Sequence, residues 1–344
     1  MDSDSILQVT ELKTHFFTDE GELPAVDGVT FSIPRGRTLA LVGESGCGKT
    51  VTSYSILRLV QKPGRIVGGS IVLRPRRGEP LDVVRLEARD PRLFQLRGGI
   101  ASMIFQEPVA ALSPVHTIGA HLTEALQLHE PVPDTEARRR GVDMLRKVGI
   151  SAPEKRFDQY PHELSGGMRQ RVGIAIALIC NPELLIADEP TTALDVTIQA
   201  QILHLIQSLQ RELGCSVLLI THDLGVVAQV ADEVAVMYLG RIVERGPVRE
   251  VIKRPRHPYT QGLLRAIPSL NLGRRLESIP GPVPSLTAIP PGCPFHPRCP
   301  HAQAGRCDVG TPPPLRNLAP DHDAACVRAE EIAAEANRAA TPHP

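Results

Sequence analysis

Gly43-Glu44-Ser45-Gly46-Cys47-Gly48-Lys49-Thr50 is the stretch that decides the reading of this chain. Its spacing, G-x-x-x-x-G-K-T, is that of a P-loop, a glycine-rich turn whose backbone N–H groups cradle phosphate oxygens. The flanks supply the context the pattern needs. The apolar run Thr38-Leu39-Ala40-Leu41-Val42 reads as a buried strand, and residues 51–60 read as a helix. The turn therefore opens a helix, where free N–H groups and the helix dipole favour an anion. Lys49 is placed to reach the β- and γ-phosphates of a nucleotide, and the Thr50 hydroxyl to ligate Mg²⁺.

Further features extend outward from the loop. Glu183-Leu184-Leu185-Ile186-Ala187-Asp188-Glu189-Pro190 is an apolar strand ending in two carboxylates. Asp188 is placed to hold Mg²⁺, directly or through water. Glu189 follows at the carboxyl edge of the sheet, where a base can polarise an attacking water. Gln106, after Ser102-Met103-Ile104-Phe105, is placed to contact the metal or the water. His222 follows the apolar run 217–220 at the same edge. In Leu164-Ser165-Gly166-Gly167-Met168-Arg169-Gln170-Arg171, Ser165, Gly166 and Gly167 open a helix expected over 168–180. That is a second phosphate-binding helix N-terminus, remote in sequence from the first. One chain cannot easily bring both to one γ-phosphate. Two chains packed head to tail can.

The remaining organisation follows from periodicity. Residues 6–42 alternate apolar and polar, with a loop near Asp19-Glu20-Gly21 and a turn at Pro34-Arg35-Gly36, so a small antiparallel β region feeds the P-loop strand. Ile118, Leu122 and Leu126, then Val142, Leu145 and Val148, carry helix periods on either side of Pro131-Val132-Pro133. A helix is expected over 196–213, and a hairpin around Leu239-Gly240. Seventeen of the 32 prolines fall in residues 251–344, which argues against sheet or long helix there. The stretch 329–340 reads as a short Ala/Glu-rich helix or a frayed tail.

Composition narrows the class. Lys+Arg 38 balance Asp+Glu 38, so no net field attracts nucleic acid or an anionic membrane. Tryptophan is absent and aromatics are 3%, which leaves few platforms for stacking bases. No apolar run approaches the roughly 20 residues that span a bilayer. Met1-Asp2-Ser3-Asp4-Ser5 is acidic, with no apolar signal segment. A cytosolic chain is expected, with any membrane work passing through a partner.

Four cysteines cluster as Cys293-x5-Cys299-x7-Cys307-x18-Cys326. In a cytosolic chain this points to metal before disulfides. The spacing lacks the C-x2-C pairs of most zinc ribbons, and Pro294 and Pro300 follow cysteines, a context met in iron–sulfur ligation. A [4Fe–4S] cluster, a zinc site that can recruit His296 or His301, and a metal-free loop are the three readings. Cys47 stands apart, and at a helix N-terminus its thiol is expected to be acidic and reactive.

Together these motifs resemble the nucleotide-binding subunit of ABC (ATP-binding cassette) transporters, over nearly the whole chain. The resemblance implies an α/β P-loop NTPase fold with a RecA-like core, an antiparallel β subdomain and a helical subdomain, plus a Cys/Pro-rich C-terminal extension. It implies an ATPase domain over 1–255 with the helical subdomain inserted at about 107–178, the extension over 256–330, and a tail over 331–344. Gly43 to Thr50 match Walker A, Gln106 the Q-loop, Leu164 to Gln170 the signature motif, and Leu184 to Asp188 Walker B. Glu189 matches the catalytic carboxylate, Ala193-Leu194-Asp195 the D-loop, and His222 the switch histidine. The family's adenine-stacking aromatic falls on Phe16 or Phe17. ATP and Mg²⁺ are the implied ligands.

Three stretches resemble the oligopeptide/dipeptide importers within that family. They are Met103-Ile104-Phe105-Gln106-Glu107-Pro108 continuing to Leu112-Ser113-Pro114, the run from Ile186 to Gln201, and Arg256-His257-Pro258-Tyr259-Thr260-Gln261 with Leu263-Leu264. The four-cysteine tail is also typical of that subfamily, which favours the iron–sulfur reading. The implied partners are a second, different ATPase subunit, two transmembrane permease subunits and an extracytoplasmic binding protein, with no nucleic acid. The implied place is the cytoplasmic face of the plasma membrane, held there through the permeases. This chain resembles the first ATPase subunit more than the second. The subfamily also includes nickel and glutathione importers, and soluble ABC ATPases are the rival class.

Overall fold

The computed structural model describes residues 4–87, 89–106, 112–192, 194–267 and 278–340. Two sheets organise them. An antiparallel sheet is built from β1 (Ser5–Thr18), β2 (Gly21–Pro34), β4 (Gly64–Leu73) and β5 (Leu81–Asp82), in the order β2-β1-β4-β5. A second sheet takes β3 (Thr38–Val42), β6 (Ala101–Ile104), β7 (Leu184–Asp188), β8 (Ser216–Thr221), β9 (Glu233–Tyr238), β10 (Arg241–Pro247), β11 (Arg316–Ala319) and β12 (His322–Ala324). Its order is β11-β12-β10-β9-β3-β8-β7-β6.

The centre of that sheet is parallel: β3 pairs with β8 on one side and β9 on the other. Parallel strands covered on both faces read as continuous apolar runs, and every residue of β3, β7 and β8 is buried. Alternation then assigns the faces. Leu39 and Leu41 join the core shared with the antiparallel sheet. Ala40 and Val42 join a second core with Tyr238, Tyr259 and Phe295. The expected hairpin forms between β9 and β10. Leu239 and Gly240 both take positive φ, as a two-residue turn requires.

Ile118, Leu122, Leu126, Val142, Leu145 and Val148 are all buried, in helices Ile118–Gln127 and Asp134–Lys147 and just beyond. Thr117 caps the first by accepting from Ala120 N–H at 3.2 Å. Helix Val196–Leu213 has the expected bounds.

Three local expectations fail. The helix after the P-loop is shorter than expected, Lys49–Ile56. Arg58 turns into the left-handed region, and the Arg97 guanidinium donates to Leu57 O and Arg58 O, both at 2.9 Å. The backbone closes the helix, with Arg58 N–H donating to Ser55 O at 3.1 Å and Leu59 N–H to Tyr54 O at 2.7 Å, and the distant arginine braces the two carbonyls that follow it. The helix expected over 168–180 is Gly166–Leu178, shifted because Ser165 caps it. Finally, the proline-rich region does contribute strands. The prolines cluster at 312–314 and 320, so 315–319 and 321–324 are free to pair, and β12 adds antiparallel to β10. Residues 329–340 form a helix.

Candidate functional site

The site forms where the parallel strands end. After β3 the chain turns at Gly43, where a side chain would run into Met237 O and Cys47 Sγ. At Gly48, φ is +107° and a side chain would strike Ala25 O. These glycines are required by space as much as by conformation. The β9–β10 turn presses on the same loop, with Gly240 N–H donating to Cys47 O at 2.9 Å. Ser45 and Gly46 complete the turn, and Gly46 takes a φ of +79°. Lys49 is buried, and its ammonium donates to Gly43 O at 2.8 Å and to Glu44 O at 3.1 Å.

From Thr50 the network crosses to β7, where the hydroxyl donates to Asp188 Oδ1 at 3.3 Å. Asp188 is buried at the strand end, and burial pushes its carboxyl up to about 6. The Thr50 hydrogen bond and the Lys49 charge oppose that shift, and the Glu189 charge adds to it. Glu189 follows with φ +45°, a conformation that costs a non-glycine residue about 1 kcal/mol. Its N–H donates to Ile220 O on β8 at 2.9 Å, which fixes the twist. Three side chains then gather on its carboxylate. Gln106 Nε2 donates at 3.4 Å and Thr192 Oγ1 at 2.9 Å, and His222 Nδ1 stands 3.5 Å away. Lys49, Thr50, Asp188, Glu189, Gln106 and His222, far apart in sequence, therefore share one edge.

Ser165, Gly166 and Gly167 stand outside this network. The hydrogen bonds of Ser165 stay in its own helix: Oγ accepts from Met168 N–H at 3.4 Å, and its carbonyl from Arg169 N–H. Asp195 caps helix Val196–Leu213, accepting from Thr197 and Ile198 N–H at 3.1 and 3.0 Å. Ala193 and residues 107–111 lie outside the described residues. Phe17 is exposed under the Arg65 guanidinium, 4.1 Å from its centroid. Phe16 shares its strand face with Thr14, whose hydroxyl meets Ser55 of the P-loop helix at 2.8 Å.

Cys47 departs from expectation. It is buried, and desolvation raises its thiol more than the neighbouring Lys49 lowers it. It is not the acidic, reactive thiol that its place at a helix N-terminus suggested.

The four clustered cysteines are free thiols that line one pocket with His257, His296 and His301. Burial, reinforced by the neighbouring cysteines, pushes the Cys293 thiol up to about 12 and the Cys299 thiol up to about 11. Among the described residues no group of three or more His, Cys, Asp or Glu converges closely enough to hold a metal ion. The expected ligand shell is gathered in one place but not drawn in. One feature of the pocket does fit a thiolate centre. His257 is buried, its Nδ1 accepts from Tyr259 N–H at 3.1 Å, and its Nε2 has no partner. With Nδ1 accepting, a neutral ring carries its proton on that unpartnered Nε2.

Four contacts near the loop or the sheet edge went unforeseen. Thr192 touches Glu189, Gln170 Nε2 donates to Pro190 O at 2.6 Å, and Tyr259 and Arg298 both reach Glu44. The Arg256-His257-Pro258-Tyr259 motif was a signal for Tyr259. Arg298 had none beyond its place between two cysteines. Among the described residues no helix is long and apolar enough to cross a membrane.

Comparison with known proteins agrees with this geometry. Residues 26–192 match the family described as ABC transporter, and residues 243–307 match the oligopeptide/dipeptide transporter, C-terminal region. A putative peptide import ATP-binding protein of Brucella melitensis is 51% identical over 342 residues, covering 97% of this chain and all of that protein. The oligopeptide transport ATP-binding protein AppD of Bacillus subtilis is 53% identical over 301 residues, covering 87% and 89% of the two chains. Among solved structures, an ATP-binding cassette in a dimeric post-hydrolysis state bound to ADP and Pi has a TM-score of 0.62 at 25% identity. It covers 71% of this chain and 99% of its own. CbiO1 of Clostridium perfringens, part of the transporter complex cbiONQ, has a TM-score of 0.61 at 29% identity, covering 73% and 92%. With the P-loop, the two carboxylates of β7 and His222 on one sheet edge, the chain belongs to the ATP-binding proteins of the ABC transporter family and carries the C-terminal region of its oligopeptide/dipeptide branch.

Proposed function

We propose that this chain hydrolyses ATP to power the import of di- and oligopeptides across the cytoplasmic membrane. The observation that carries the ATPase part is the gathering of Lys49, Thr50, Asp188, Glu189, Gln106 and His222 at one sheet edge, with Thr50 bonded to Asp188 and with Gln106 and His222 against Glu189. The peptide part is supported by the C-terminal region and by relatives named for peptide import.

In this reading the loop amides and Lys49 hold the phosphates of ATP, and Phe16, on the strand face toward the P-loop helix, stacks on adenine. Thr50 Oγ1 and Asp188 Oδ1, with Gln106, would hold a magnesium ion, which when bound neutralises charge on the phosphates. Glu189 accepts the proton of the attacking water, and His222 orients the γ-phosphate. Ser165, Gly166 and Gly167, whose hydrogen bonds do not involve the P-loop, face the ATP of a second ATPase subunit. Asp195 stands at that same interface. Closing and opening of this pair moves two permease subunits through the Q-loop region, and an extracytoplasmic binding protein delivers the solute. The chain sits at the cytoplasmic face of the membrane and is held there by the permeases. The second ATPase subunit is a different chain.

The four cysteines of the extension are assigned to a structural thiolate-held centre, iron–sulfur or zinc, with His257 Nε2–H as a donor toward it. The shared pocket and that orphaned imidazole support the assignment. Iron, sulfide and zinc measured in anaerobically purified protein test it, and a folded sample free of both metals overturns it.

Uptake of labelled di- and oligopeptides, with Ni²⁺ as control, in cells carrying wild type or Glu189→Gln tests the transport reading. Loss of peptide uptake alone is expected. Loss of nickel uptake, or of neither, overturns the peptide assignment.

A further inference from the structure

Two parts of the extension that take no part in the chemistry above both end on the P-loop. Arg298, between Cys293 and Cys299, donates from its two terminal nitrogens to the two carboxylate oxygens of Glu44, at 2.7 and 2.9 Å. Its side chain is 4% exposed, its Nε donates to Pro280 O at 3.2 Å, and the Tyr238 hydroxyl lies 3.5 Å from it. Tyr259, fully buried, accepts from Glu44 N–H at 2.9 Å through its hydroxyl. Glu44 is thus held at its backbone and at its side chain by residues more than two hundred positions away. Its carbonyl in turn receives Lys49 Nζ.

Both clamps are themselves fixed. Tyr259, Tyr238 and Phe295 pack against each other with centroids 4.7 to 5.3 Å apart. The turn before Tyr259 is pinned by Glu244, whose carboxylate accepts from Arg256 N–H at 2.6 Å and His257 N–H at 2.9 Å. A two-bond guanidinium–carboxylate fork allows one geometry, and here the guanidinium is buried while the carboxylate keeps one side open. Displacing the cysteine segment displaces Arg298 with it.

We infer that Arg298 and Tyr259 are positioning residues that hold Glu44, and through it Lys49, in the conformation that receives ATP, so that the C-terminal extension sets the nucleotide affinity of the P-loop. The inference rests on the ATP reading of the loop.

The test is Mg–ATP binding by equilibrium dialysis and steady-state hydrolysis on the full-length chain, beside thermal unfolding without nucleotide. Arg298→Gln is expected to raise the ATP Kd and KM about tenfold at unchanged kcat, and Tyr259→Phe to raise them about threefold. Combining Arg298→Gln with Glu44→Gln should weaken binding no further than either change alone. Arg298→Lys, which keeps the charge and loses the fork, should rescue only in part. A folded Arg298→Gln chain with wild-type Kd overturns the inference, as do strictly additive losses. Should that variant not fold, hydrogen exchange on the wild type decides. Coupling is reciprocal, so Mg–ATP must slow exchange over 256–265 and 293–299 as well as over 43–50. Protection confined to the loop overturns it. Lys49→Ala separates the two readings. A wild type that binds no ATP sinks the nucleotide site itself, whereas ATP binding that depends on Lys49 and ignores Arg298 sinks only the latch.

Discussion

Two of the glutamate–histidine pairs in this molecule share a chemistry and differ in surroundings. Glu189 and His222 stand 3.5 Å apart, and the histidine side chain is 59% exposed. Glu244 and His322 are 2.7 Å apart with exposures of 0% and 2%. The buried carboxylate has both oxygens engaged, by the imidazole and two backbone N–H groups, as a polar group removed from water must. The open pair is slack, and its carboxylate shares a glutamine and a threonine that can exchange partners. The tight pair joins β10 to β12 and to the start of the extension. The slack one stands where the parallel strands end, beside the P-loop. Tightness marks scaffold here, and slack marks the site.

His222→Ala should break the comparison in the most visible way. Hydrolysis is expected to fall by roughly 10²-fold or more, with ATP binding retained and unfolding shifted by no more than about 0.5 kcal/mol. Hydrolysis assays beside thermal melts check both halves, and a large loss of stability would assign His222 to the scaffold. His322→Ala should do the reverse. It leaves the buried Glu244 with backbone donors alone and costs about 3 kcal/mol of stability, read by chemical denaturation. An unchanged midpoint would mean the tight pair contributes nothing.

A smaller effect concerns Asp188. Its folded carboxyl holds a proton up to about pH 6, whereas an unfolded one releases it near 4. Between these values the folded state binds more protons, so this group makes stability fall as pH rises from about 4 to about 6, by under about 3 kcal/mol, and adds no slope above. Asp188→Asn should flatten that segment of the nucleotide-free profile. The smallest effect belongs to a pair that is neither buried nor at the site. Lys147 and Glu212 meet at 2.7 Å but are 41% and 52% exposed, and Lys147→Ala should cost under about 0.5 kcal/mol. A larger loss would show that distance, and not burial, ranks these contacts.

What could be read from sequence divides along a similar line. The strand runs at 38–42, 184–188 and 216–221, the glycine loop, and the helix faces of Ile118, Leu122 and Leu126 depend on local period and turn chemistry, which a sequence displays directly. The network of Lys49, Thr50, Asp188, Gln106, Glu189 and His222 was legible because parallel strands bring their carboxyl ends to one edge. Contacts between remote side chains were not legible. Nothing near Arg298 announces Glu44, 254 residues away, and nothing near Arg97 announces the turn it braces after the P-loop helix. Cys47 was misread because a helix N-terminus is visible in sequence and burial is not. The strands of the extension were missed because a proline count hides the proline-free gaps between clusters. Which of Phe16 and Phe17 shares a strand face with Thr14, the residue that meets Ser55 of the P-loop helix, was likewise a matter of register that composition does not display.

The central claim is that Glu189 performs hydrolysis on an ATP held by other residues. Measuring ATP binding and ATP turnover side by side in wild type and Glu189→Gln tests it most directly. The account predicts unchanged binding and turnover reduced by roughly 10²-fold or more. Turnover at the wild-type rate in that variant would contradict it.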